Sequence, residues 1–277
     1  MKTAVQSNNE VPRVSVVMGI ARADPYLQAA IDSILNQSFR DFEFLIVVDE
    51  GACHIKDQIL DLYPGDERLR ILQAPSLGGL AYALNMGIGS ARGEYIARMD
   101  GDDISRPDRL MEQVRYMDEH KDVAVLGCRV QLIDSNSERM RQKFPYCKSD
   151  KEIRRLLPFR CPMVHPALMF RKSSLYRVHG YMYGHSAEDY EMFIRMARNP
   201  ELKFYNLDKV LFDYRRHELQ GTGLHRVRDN YADRAGVLFT EFLRTCSLKY
   251  IGGMLAMHPL IYTIRVFFRK SLERIKC

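Results

Sequence analysis

Between Val14 and Met99, four short apolar runs alternate with three amphipathic stretches, and this rhythm restricts the possible folds more than any other feature of the chain. Val14–Met18 and Phe42–Val48 are rich in β-branched and aromatic residues, and these, Leu69–Gln73 and Tyr95–Met99 are too short for helices, so all four are expected as strands. Between them, Tyr26–Gln37 places Leu27, Ile31, Ile34 and Leu35 at helical spacing. Ile55–Tyr63 is a second helix, and Leu80–Ala91, led by Gly78-Gly79 and closed by Ala91-Arg92-Gly93, is a third. Strands joined by crossover helices run parallel, so the expected class is α/β, a Rossmann-like, mainly parallel sheet flanked by helices. The carboxyl ends of parallel strands share one edge, where open sheets bind ligands. Three special segments fall there: Gly19-Ile20-Ala21-Arg22, Asp49, and the acidic turn Asp100-Gly101-Asp102-Asp103.

That turn packs three carboxylates into four positions directly after a strand. Like charges so close repel, and a divalent cation removes the penalty: Mg²⁺ and Mn²⁺ take hard carboxylate oxygens and share them with substrate phosphates. A solvated acidic turn is the plainer alternative. Ser105-Arg106-Pro107-Asp108 then resembles a capping box opening a helix whose inner face is Leu110, Val114 and Met117.

The second half is less regular. Val123–Cys128 and Ala167–Arg171 are strand-like, Ile153–Leu157 is a short helix, and Phe204–Tyr214 is expected as a strand pair. A glycine-containing loop over residues 180–186 precedes a helix from Ala187-Glu188-Asp189 to Arg198. From Leu224 onward two helices are expected, broken near His258-Pro259. The resulting division is residues 1–12 as a disordered N-terminus, 13–217 as the main domain, and 218–277 as a basic helical C-terminal appendage.

Charge follows the same division. Residues 215–277 carry 12 Lys/Arg against 5 Asp/Glu, while the first 214 residues are net −1. Tyr250–Ile264 is uncharged and is followed by Arg265, Arg269, Lys270, Arg274 and Lys276. Too short to span a bilayer, this tail suits an anionic membrane surface; a homodimer contact or simple core packing are the alternatives. No motif for nucleic acid is present. The six cysteines show no zinc spacing, the N-terminus has no signal-peptide apolar core, and no 20-residue apolar run exists. A cytoplasmic protein is expected, with peripheral contact to the inner face of the plasma membrane as an option.

Several blocks in fixed order resemble the family-2-type inverting glycosyltransferases of GT-A fold, the bacterial surface-polysaccharide class. They are Val14–Met18, Ser33-Ile34-Leu35-Asn36-Gln37-Ser38, Ile46-Val47-Val48-Asp49, Gly78, Asn85, Ala91-Arg92-Gly93 and Tyr95–Leu110. His165-Pro166 through Arg171, Ala187-Glu188-Asp189-Tyr190, and Tyr214-Arg215 with His217 complete the set. Two departures stand out. The family commonly has a Pro and an aromatic-Asn pair where Gly19–Arg22 stands, and Asp-Gly-Ser where Glu50-Gly51-Ala52 follows Asp49. Both fall in the region that holds the nucleotide base and ribose.

The resemblance implies transfer of a sugar from a nucleotide-diphospho donor, UDP-linked in the first instance, to a hydroxyl of a glycan or lipid-linked acceptor. It implies a nucleotide-sugar half over residues 13–110 and an acceptor half over 111–217. Asp102 is then the metal ligand for Mn²⁺ or Mg²⁺, and Asp100 holds the ribose or supports the metal. Asp103 is a third ligand or a charge at a helix N-terminus. Asp49 matches the carboxylate that accepts from the uracil N3–H, with helix capping as the alternative. Arg98 points toward donor phosphate or packs in the sheet; Arg92 is weaker. Asp189 is the general base, with Glu188 beside it on the acceptor side. His165 and His217 are pyrophosphate or metal contacts or structural hydrogen-bonders, and Arg215 and Arg216 close over the diphosphate or form a solvated pair. Two other classes compete. A sugar-phosphate nucleotidyltransferase needs a Gly-rich, cationic loop after the first strand, of which Gly19–Arg22 is a poor version. A non-catalytic binding protein of the same fold would have lost donor binding.

Overall fold

A computed structural model of the protein describes residues 11–75, 79–142, 144–182, 187–217 and 227–259. Gly78, the 183–186 part of the glycine-containing loop, Leu224, and the basic residues from Arg265 on lie outside these.

The first half follows the expected alternation: β1 (Val14–Ile20), α1 (Leu27–Leu35), β2 (Phe42–Asp49), α2 (Cys53–Leu62), β3 (Leu69–Ala74), α3 (Gly79–Ser90) and β4 (Tyr95–Met99). All four strands are parallel in the order β3-β2-β1-β4. β1 and β2 are buried on both faces, which explains why they are continuous apolar runs instead of alternating ones. One face carries Val14, Val16 and Met18 against Ile31, Ile34 and Ile55 of α1 and α2. The other carries Val17 and Leu45 against Leu84 and Ile88 of α3. Register pairs Met18 with Met99 and Ile20 with Val48, so the segments after β1, β2 and β4 do emerge at one edge.

Beyond the acidic turn come β5 (Ile104–Ser105), α4 (Arg109–Glu119), β6 (Val123–Ile133), α5 (Asp150–Leu156), β7 (Met169–Arg171), α6 (Lys172–Arg177), α7 (Glu188–Ala197) and β8 (Lys203–Arg215). They extend the sheet to eight strands in the order β3-β2-β1-β4-β7-β6-β8-β5. β7 runs antiparallel to both β4 and β6, and β5 antiparallel to β8, so the added half is mixed rather than parallel.

Two expectations need correcting and one needs extending. The expected strand pair over 204–214 is one strand, β8, parallel to β6. The charged Asp208-Lys209 are not a turn: they are extra residues between Leu207 and Val210, whose partners Cys128 and Arg129 are consecutive. The expected capping box at Ser105 does not form: α4 begins at Arg109, and its N-cap Asp108 makes no side-chain cap bond. Gln37, fully buried at the end of α1, does that work instead. It accepts the Leu110 N–H at 3.0 Å and donates to the Arg106 carbonyl at 2.8 Å. Finally, besides the expected break at His258-Pro259, an unexpected one falls between α8 (Val227–Thr245) and α9 (Leu248–Met257), at Cys246 with φ 53°. His258 is the residue that ends α9.

Candidate active site

The acidic turn leaves β4 and is fixed from behind by β8. Asp103 is fully buried, and its Oδ1 accepts the Arg215 backbone N–H at 2.7 Å. The Arg215 side chain, itself buried, donates to the carbonyls of Asp102 and Asp134 and stacks over Tyr26. Arg215 therefore holds the turn from within the fold. His217 Nε2 lies 2.9 Å from Asp102 Oδ2, and its ring packs on Tyr26 at 5.4 Å. Tyr26 thus links the start of α1 to the end of β8 beside the acids, a role no sequence signal announced.

Asp100, Asp102 and Asp103 can each present a carboxylate oxygen within 4.8 Å of the others. Burial pushes the Asp103 carboxyl well above the carboxylate range, and the charges of Asp102 and Asp100 push it further. Burial and Asp100 raise Asp102 as well, against the opposing pull of His217. The Asp103 Oδ2 is buried with no hydrogen-bond partner. Three converging acids with an orphaned buried oxygen have the donor set and the charge deficit that a hard divalent cation satisfies.

Two guanidiniums stand behind the turn. Arg98 is 2 % exposed and pairs with Asp100 while donating to the Met99 carbonyl. Arg109, fully buried, donates to the carbonyls of Arg98 and Leu168 at 2.8 and 3.0 Å, tying β4 to the segment entering β7. Arg92, further off, belongs to a different cluster: with Arg70 and Ser15 it satisfies the buried Glu43.

Glu188 and Asp189 open α7, both half-buried. Burial and the neighbouring Asp189 charge raise Glu188 to about 7. Burial raises Asp189 too, while Arg234, the Tyr190 N–H and Arg98 favour its charged form. Glu188 senses the charges of both Arg98 and Asp100, so the α7 acids and the acidic turn lie within electrostatic reach of each other. The approach to α7 is clasped to α3: Asn85 donates to the Tyr181 carbonyl at 2.7 Å and accepts the Tyr181 N–H at 2.9 Å. The Tyr181 hydroxyl and His165 Nε2 are hydrogen-bonded at 2.6 Å, and burial drives His165 well below its usual value, so this imidazole is neutral. Asp49 ends β2 at the same sheet edge, where its Oδ1 accepts the Gly51 N–H at 2.9 Å, the capping arrangement.

The sequence profile of Glycosyl transferase family 2 matches residues 15–179, from β1 to the approach to α7. The chain belongs to this family. It is an enzyme of the glycosyltransferase class. This family-2 chain is 36% identical over 207 residues to the O-antigen biosynthesis glycosyltransferase WbnJ of Escherichia coli, covering 74% of this chain and 80% of WbnJ. It is 32% identical over 225 residues to an uncharacterized glycosyltransferase, MJ1057, of Methanocaldococcus jannaschii, covering 80% and 74% respectively. Among solved structures it resembles S. aureus TarS 1-349 in complex with UDP-GlcNAc, with TM-score 0.66 at 19% identity, over 83% of this chain and 66% of that one. The mannosyltransferase PcManGT of Pyrobaculum calidifontis, in complex with GDP-Man and Mn2+, superposes with TM-score 0.58 at 16% identity, over 90% and 69%. At such identities the two structures establish a shared fold, the GT-A arrangement expected for the family.

Proposed function

We propose that this enzyme transfers a sugar from a nucleotide-diphospho donor, UDP-linked, to a hydroxyl of a glycan or lipid-linked acceptor in surface-polysaccharide synthesis. What supports this reading is the cluster Asp100–Asp103 at the sheet edge, with Glu188-Asp189 within electrostatic reach of it. The O-antigen role named for WbnJ and the UDP-GlcNAc bound to TarS support the substrate class.

Asp102, with Asp100, would hold a Mn²⁺ or Mg²⁺ ion, which when bound neutralises the developing charge of the diphosphate leaving group. The chain's own residues do the rest. Asp49 receives the nucleotide base and Asp100 the ribose. His217 orients the Asp102 carboxylate, and Arg98 holds Asp100 in place. Asp189 accepts the proton of the attacking acceptor hydroxyl, while Glu188, protonated up to about pH 7, donates a hydrogen bond on the acceptor side. Attack on the face opposite the diphosphate inverts the anomeric configuration. On this reading residues 13–110 bind the donor, 111–217 shape the acceptor side, and the helices from 218 on meet an anionic membrane surface.

A thermal-shift screen of nucleotide sugars with Mn²⁺ tests the proposal, because a ligand stabilises the state that binds it by about 2.7 kcal/mol at a hundredfold excess over Kd. A shift confined to one UDP-sugar supports it. A shift with a nucleoside triphosphate and sugar phosphate instead would favour the nucleotidyltransferase reading.

A further inference from the structure

A cleft of about 780 Å³ lies between the end of α6, α7 and α8, within the roughly 300–1,000 Å³ of ordinary ligand sites. α7 and α8 run side by side in the same direction, since Arg234 of α8 lies over the Tyr190 ring and Arg198 Nε donates to Glu241 at 3.0 Å. Met182 and Ala187 line the cleft where α7 begins, and Arg198 and Arg244 line its other end. Glu188, Glu191, Arg195 and Arg198 are spaced three or four apart, so the last three, which line the cleft, follow the face that Glu188 heads. At roughly 1.5 Å per residue, Arg198 stands about 15 Å along that face from Glu188. Ala232, Gly236 and Thr240 leave the α8 side open: a Cβ added at Gly236 would meet nothing within 4 Å.

The charged groups of the cleft are layered, with carboxylates buried behind and guanidiniums in front. Glu191 is buried with both oxygens on Arg195, and the buried Glu241 holds Arg198, with Arg244 Nε 3.8 Å away. Asp233, the other acid of the lining, also has a partner. The Arg244 and Arg177 side chains are 58 % and 55 % exposed, and the partner of Arg177, Glu201, is more exposed still. Surface pairs of that kind hold weakly, so both guanidiniums are available to a ligand. Beside Thr240 and Arg244 on α8 stand the exposed Phe239 and Leu243. Guanidinium forks suit phosphate oxygens, and apolar side chains next to them suit a hydrocarbon chain. We infer that this cleft seats the phosphate headgroup of a lipid-linked acceptor, with Arg177 and Arg244 on the phosphate oxygens and Phe239 and Leu243 against the start of the lipid. The sugar to be extended then lies along α7 toward Glu188 and Asp189. The inference rests on the lipid-linked acceptor proposed above and gives it a site, built in part by a helix outside the segment that matches the family profile.

The test is calorimetric titration of the full chain with monomeric decyl phosphate, in EDTA so that no metal at the acidic turn can capture the probe. Decyl phosphate should bind, weaken with added salt, and outcompete both decyl glucoside and inorganic phosphate. Arg177→Gln with Arg244→Gln should weaken it about tenfold or more. Gly236→Leu has room for its side chain and fills the cleft, so it should weaken binding at least as much while the melting temperature holds or rises. Should the double variant not fold, Gly236→Leu carries the measurement. Equal affinity in wild type and these variants, or decyl glucoside bound as tightly as decyl phosphate, overturns the inference. Dioctanoylphosphatidylglycerol bound as tightly as decyl phosphate would give the cleft to bulk membrane phospholipid and overturn the acceptor assignment. Failure of the donor reading is separate: the thermal shift by a UDP-sugar with Mn²⁺ should be unchanged in Gly236→Leu, and its absence from wild type, with decyl phosphate still bound, would strike the donor and leave the cleft.

Discussion

Asp103 and Glu188 show how single residues in this site divide their labour. The first is locked into the fold by the Arg215 N–H, and the second stands half-exposed at a helix start. Asp189, next to Glu188, carries the proton transfer in the proposed reaction. Replacing it by Asn keeps the shape and removes the base, so kcat should fall by roughly 10²–10⁴-fold with donor binding intact. Single-turnover kinetics beside calorimetric donor titration would check this, and retained kcat would remove Asp189 from its role. Glu188 makes a stability prediction of its own. Its folded-state carboxyl titrates at about 7 against 4.5 for an ordinary glutamate, so the folded protein binds a proton that the unfolded chain releases earlier. Stability from this group is present below the ordinary value and lost as pH rises through 7. Between about pH 5 and pH 8, wild-type Tm should fall relative to Glu188→Gln, by about 2 °C or more. Parallel melting curves of the two proteins, without added metal, would show the slope or its absence.

At the scale of elements, the clasp between α3 and the segment entering α7 is the joint most exposed to a single substitution. Gly180 has φ +62°, and a Cβ there would meet Asn85 Oδ1 at 2.4 Å. Gly180→Ala therefore combines left-handed backbone strain with a clash against the residue that pins Tyr181. A loss of about 2 kcal/mol or more in urea-derived stability is expected, with a larger fall in kcat than in donor affinity. Asn85→Ala should give the kinetic defect with less loss of stability. Much of this architecture was legible in the sequence. β1, β2 and α1 are buried over long stretches, so their periodicity is set by the core and survives as a readable pattern. The acidic cluster was legible for the opposite reason, since three carboxylates so close repel, but that Asp103 is buried and braces β8 through the Arg215 N–H was not. What failed were features settled by distant partners. Gln37 caps α4 from another element, Asp208-Lys209 are carried as a bulge in β8, and Arg234 comes to lie over the Tyr190 ring only after α8 has docked. None leaves a local signature.

Over the whole molecule, positive charge gathers at the C-terminal end, where the helices also carry some of the most exposed apolar side chains. The first 214 residues are net −1, against 12 Lys/Arg and 5 Asp/Glu in the remainder. On α8 and α9 the described residues expose Phe239 at 49 %, Leu243 at 64 %, Leu248 at 75 % and Leu255 at 58 %. No helix among the described residues is long and apolar enough to cross a membrane. Apolar side chains beside basic sequence, without a span, are the composition of a surface-seated helix pair. Such seating would bring the start of α7 toward a lipid-linked acceptor, since Arg234 of α8 lies over the ring of Tyr190 on α7. Binding should then require anionic lipid and weaken with salt, each Lys or Arg near the surface contributing about 1 kcal/mol. Co-sedimentation with vesicles of phosphatidylglycerol in phosphatidylcholine should show binding that phosphatidylcholine alone does not support. The double variant Leu243→Ser with Leu255→Ser should reduce it about tenfold or more, through lost apolar burial alone. Equal binding to neutral vesicles would sink the electrostatic part. A concentration-dependent dimer in sedimentation velocity, abolished by the same double variant, would instead assign this face to a second copy of the chain.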